Sequence, residues 1–104
     1  MSTKLLDNVS ANGSGAFVKW LGGPAQIFIK GDLGGTGTVT IELSDDAGAT
    51  IYNAKFDDGT DFAVAASEVP DTHPVSGWAQ GTFVRASLVG ATSPSGVFVT
   101  LKQG

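Results

Sequence analysis

Apolar and polar residues alternate with a period of two along most of this chain, and glycine-rich breaks separate the alternating runs. The clearest run is Thr38, Val39, Thr40, Ile41, Glu42 and Leu43. As a strand it sets Val39, Ile41 and Leu43 on one face and the hydroxyls and carboxylate on the other. Residues 25–30 read as a strand with Ile27 and Ile29 inward, and residues 95–102 as one with Val97, Val99 and Leu101 on one side. Residues 49–56 form a further run, and residues 82–89 are apolar on both faces with Arg85 as an interruption. Shorter runs lie at 3–10, 16–20 and 61–66. No stretch offers a helical repeat with caps. About eight short strands at roughly even spacing predict an all-β fold, an antiparallel β-sandwich of jelly-roll or immunoglobulin-like type. Ile27, Ile29, Val39, Ile41, Leu43, Val97, Val99 and Leu101 are expected to face its core.

The breaks carry turn chemistry. Gly22-Gly23-Pro24 and Gly34-Gly35-Thr36-Gly37 supply glycines, which adopt positive φ freely, and Asp45-Asp46-Ala47-Gly48 adds aspartates that satisfy turn backbone locally. Residues 67–81 differ: they hold Pro70, His73, Pro74 and Trp78, show no alternation, and read as the longest irregular segment. Near the start, Leu5 and Leu6 stand side by side. Strict alternation would turn one of them away from a one-sided core, so residues 3–9 are an expected contact element for a neighbouring subunit. Trp78 is the expected interface aromatic, and Trp20 reads as core or rim.

The chain is 104 residues long, the size of one domain, and is read as a single domain over 1–104. Charged residues make up only 15%, so Ser, Thr, Gly, Asn and Gln must cover much of the surface. The net charge is −4, and Lys4, Lys19, Lys30, Lys55, Arg85 and Lys102 are scattered in sequence, so no nucleic acid is expected as a partner. No run approaches the roughly 18–20 apolar residues of a membrane span, so no membrane is expected either. The opening residues turn polar too early for the apolar region of a signal peptide. There is no cysteine, which excludes disulfides and thiolate metal sites and fits a reducing cytoplasm.

Candidate chemistry is sparse. Asp45 with Asp46, and Asp57 and Asp58 with Asp61, could offer oxygen ligands to Ca²⁺, but neither group follows the spacing of a calcium loop, and both read as turns. The glycines at 34–37 lack the Lys-Ser/Thr ending of a phosphate loop and precede a strand instead of a helix. His73, the only histidine, reads as a solvated loop residue, with no nucleophile motif to accompany it. No catalytic residue, metal or cofactor is expected, and the chain reads as a non-enzyme.

Residues 4–15, Gly22-Gly23-Pro24, residues 37–50, residues 83–90 and Ser95-Gly96-Val97 together resemble the small β-sandwich structural proteins of tailed bacteriophages. The resemblance covers most of the chain; the segment around residues 70–77 is a departure from it. It implies a virion protein made in the host cytoplasm, foremost a head decoration or cement protein that stabilises the shell by bridging capsid subunits. The alternative it implies is a tail or head-fibre module that binds a receptor or carbohydrate. The partners implied are the phage capsid protein and further copies of this chain. A trimer is suggested by the threefold positions of head lattices.

Overall fold

The computed structural model describes residues 2–56, 58–75 and 78–103. Its strands are β1 (Ser2–Val9), β2 (Gly13–Ser14), β3 (Val18–Lys19), β4 (Ala25–Asp32), β5 (Thr38–Ser44), β6 (Tyr52–Asn53), β7 (Ala63–Ala65), β8 (Asp71–Val75), β9 (Phe83–Val89) and β10 (Ser95–Gln103). One 3₁₀ turn, Ala66–Glu68, follows β7. The strands form two antiparallel sheets. The first runs β1-β10-β4-β8. In the second, β9 and β5 are central, β2 and β3 both pair with the outer side of β9, and β6 and β7 both pair with the outer side of β5.

Counting β2 with β3 and β6 with β7 as two interrupted edge strands gives a sandwich of four strands against four. The chain changes sheet at almost every connection, and its first strand pairs with its last. That is the jelly-roll order, two interlocked Greek keys. An immunoglobulin-like sandwich would keep more hairpin-linked strands side by side in one sheet.

Alternation builds the core as expected. Ile27, Ile29, Val39, Ile41, Val97, Val99 and Leu101 are all buried, joined by Val84, Ala86 and Leu88 of β9 and by Trp20, Leu33, Phe62 and Val64. Leu43 is an exception. It shares the inward side with its register partner Val84, but it lies near the end of β5 and is half-buried at the rim of the core.

The N-terminal strand departs from strict alternation. Lys4 pairs with Thr100, Leu6 with Val99 and Val9 with Val97, so β1 carries one extra residue in each interval against β10. Each extra residue is a β-bulge. The first bulge adds Leu5, so Leu5 and Leu6 both turn inward and are 3% and 4% exposed. The second leaves Asp7 and Asn8 outside, with Asn8 at φ 53°, a left-handed conformation that asparagine tolerates. The expectation that one leucine points away from the core is therefore corrected. Bulges also twist an edge strand away from further pairing, which weakens the case for strand addition along β1.

Two other readings are revised. Of residues 49–56 only Tyr52–Asn53 is a strand. Residues 67–81, expected to be irregular, contain β8, which pairs with β4 from Ala25↔Val75 to Ile29↔Asp71. Proline removes a ladder donor and is tolerated on an edge strand, and Pro74 sits on one.

Gly15 directly follows β2 on the second sheet and lies against the backbone of β1. Its N–H donates to the Ala86 carbonyl at 2.9 Å, and a Cβ added there would lie 2.0 Å from the Leu5 carbonyl oxygen. Gly15→Ala should therefore force backbone apart and lower the urea midpoint, with the far-UV spectrum reporting the fold. Leu5→Ala and Leu6→Ala should each lose about 2–5 kcal/mol in the same denaturation, as buried leucine truncations do. Deleting the first seven residues should compromise folding itself.

Candidate functional site

The inward residues of the first sheet fix what its outer face presents. Register sets the outward positions in rows. Ser2, Lys102, Gln26 and Pro74 form one row, Lys4, Thr100, Phe28 and Thr72 the next, and Phe98 with Lys30 a third. Phe28 is 43% exposed at the middle of this face. The ammonium groups of Lys4 and Lys30 lie 5.2 and 5.3 Å from the Phe98 ring centroid, within cation–π range. Shallow depressions flank Phe28. One is lined by Pro24, Gln26 and Lys102, the other by Ser2, Lys30 and Thr100. Lys4, Lys30 and Lys102 look scattered in sequence, yet the fold gathers them on one platform. No Asp or Glu occupies these rows; the nearby Asp7 pairs with Lys4 at 3.5 Å.

A second feature lies between β8 and the β6–β7 connection. Lys55, Phe56, Asp58, Phe62, Glu68, His73 and Trp78 line a recess of about 410 Å³. His73 is not a solvated loop residue. It lies on β8, half-buried, with Nε2 2.9 Å from Asp71 Oδ2 and its ring 4.9 Å from Phe56 and 5.3 Å from Phe62. Trp78 packs edge-on against Trp20 at 5.0 Å, and the Trp20 indole N–H donates to the Trp78 carbonyl at 3.1 Å. Trp20 is fully buried and belongs to the core. Trp78 stays half-buried at the recess. The structure does not bring Leu5 and Leu6 together with Trp78 on one surface, because both leucines are inside.

The aspartates act locally. Asp46 Oδ1 accepts from the Ser44 hydroxyl at 2.8 Å and the Thr50 N–H at 2.7 Å. Bonds from Thr50 and then Ser44 hold its carboxyl below the ordinary value. Asp58 is held below its ordinary value in the same way by Thr60. Asp61 pairs with Lys55. Asp57 lies outside the described residues.

At the centre of the second sheet's outer face the polar groups satisfy one another, while Val89 at the end of β9 is 47% exposed. Arg85 Nε and the Ser87 hydroxyl donate to Glu42 Oε1 at 2.9 and 2.6 Å, and Ser14 Oγ lies 2.7 Å from Ser87 Oγ. The Arg85 guanidinium rests 4.6 Å from the Phe17 ring centroid. Glu42 and Arg85 are direct cross-strand partners, so the interruption seen in the sequence of β9 is one half of this ion pair.

What the alternation did not single out is the platform. Its signal was present in the positions between core residues: Phe28 between Ile27 and Ile29, and Phe98 between Val97 and Val99. Comparison with protein-family models, curated proteins and solved structures finds no match to this chain.

Partial burial raises the Glu42 carboxyl, but the bonds from Ser87 and Arg85 and the Arg85 charge outweigh it and hold the group below its ordinary value. A depressed carboxylate stabilises the fold above its unfolded value and loses that contribution as pH falls through the lower folded value. Thermal midpoints should therefore drop on acidification through this range. Glu42→Gln should lower the neutral-pH midpoint and flatten that acid slope.

Proposed function

We propose that this chain is a structural, non-catalytic protein of a tailed-phage particle that decorates the head and bridges neighbouring capsid subunits. The observation that carries docking over catalysis is the outer face of the first sheet, where Phe28 and Phe98 stand among lysines on a flat, open surface. A flat face suits another protein surface, whereas small substrates are usually enclosed in concave pockets. Support for the particle comes from the sequence resemblance and, at the level of fold analogy, from the use of jelly rolls in viral capsid domains. One such face is modest, so a homo-oligomer, a trimer on threefold positions, would gain strength by engaging several copies at once.

The recess around Trp78, Phe56 and His73 favours a second reading, a receptor- or carbohydrate-binding module of a tail or head fibre. The two separate cleanly by experiment. Purified chain should co-sediment with DNA-free heads of the phage that carries it and raise their resistance to heat. Labelling confined to tails by electron microscopy, together with glycan binding lost in Trp78→Ala, would establish the second reading instead.

A further inference from the structure

We infer that the outer face of the first sheet docks on an acidic protein surface that carries an apolar recess for Phe28, supplied by the phage shell. This rests on the head-decoration reading and adds to it the docking face and the chemistry of the partner. Three of the six Lys and Arg residues lie on this face in a chain with ten acidic residues, so the partition of charge is uneven. Lys30 and Lys102 are exposed and Lys4 keeps 55% of its side chain in water. Phe28 sits between two depressions, which gives a central apolar anchor inside a polar, cationic rim. That is the layout of an interface with a desolvated aromatic at its centre and charges that steer approach.

Charge also decides against a second copy as the occupant. A two-fold contact through this face would set Lys30 and Lys102 against the same cationic patch on the partner. A shell surface rich in Asp and Glu removes that repulsion. The hydroxyl and amide groups of Thr72, Thr100 and Gln26 supply hydrogen bonds around the anchor. Gln26 Nε2 already donates to Thr72 Oγ1 at 2.9 Å, which holds two of these groups in place.

Two measurements test this on the full chain, each with wild type, Phe28→Ala and the double variant Lys30→Glu/Lys102→Glu. All substituted side chains are exposed, so thermal midpoints should stay near that of wild type. In the first measurement the probe is a carboxymethyl resin in low salt at neutral pH. Wild type should be retarded despite its net negative charge, and the double variant should not. Equal elution of the two would overturn the cationic face. In the second the probe is DNA-free heads. Phe28→Ala and the double variant should each weaken co-sedimentation by about tenfold or more, and added salt should weaken the wild type. Variants that bind heads as tightly as wild type would overturn the docking face while leaving decoration intact. Wild type that is retarded on the resin but ignores heads would overturn the decoration reading. A face that instead bound a single-stranded oligonucleotide at physiological salt, or whose double variant changed the oligomer mass, would overturn the assignment of the partner.

Discussion

Every surface of this protein depends on the packing of one sheet on the other. Val97, Val99 and Leu101 of β10 and Ile27 and Ile29 of β4 close against a layer made by Val39, Ile41, Val84, Ala86 and Leu88. Each of these strands spends alternate residues on that contact. The residues between them have no choice but to face outward, and on the first sheet those residues are two phenylalanines, lysines and small polar groups. The candidate interface is thus the reverse side of the core. Its rows inherit their spacing and rigidity from the same ladders.

The two outer faces are treated differently. On the second sheet, Glu42, Arg85, Ser87 and Ser14 satisfy one another, Phe17 covers the guanidinium, and Ser87 is almost wholly buried. Polar groups tied together in this way have little left to offer a partner. On the first sheet Lys4 and Lys30 lean on Phe98 and the central Phe28 stays open to water. An aromatic left exposed among cations is the less settled arrangement, and covering it by another surface gains both apolar burial and charge pairing. Sheet edges are handled with equal economy. β1 is bulged twice and β8 contains Pro74, and both features discourage unwanted pairing along the first sheet.

The period-two pattern of residues 25–30, 38–43 and 95–102 was enough to determine the fold class and most of the core, because burial on one face of a strand demands it. The turn chemistry of glycine and aspartate was equally legible, since Asp46 and Asp58 meet their partners within four residues along the chain. The sequence by itself could not tell that Leu5 and Leu6 both face inward, because a bulge is set by the partner strand's register. It could not show β8, because its inward positions include Asp71 and His73 in place of apolar residues, so the strand alternates in burial without alternating in hydropathy. Nor could it show that Lys4, Lys30 and Lys102 are neighbours: they belong to three different strands, and only the order β1-β10-β4 lays those strands side by side. Local rules decide which way a side chain points, and the long-range pairing of strands decides what it stands beside.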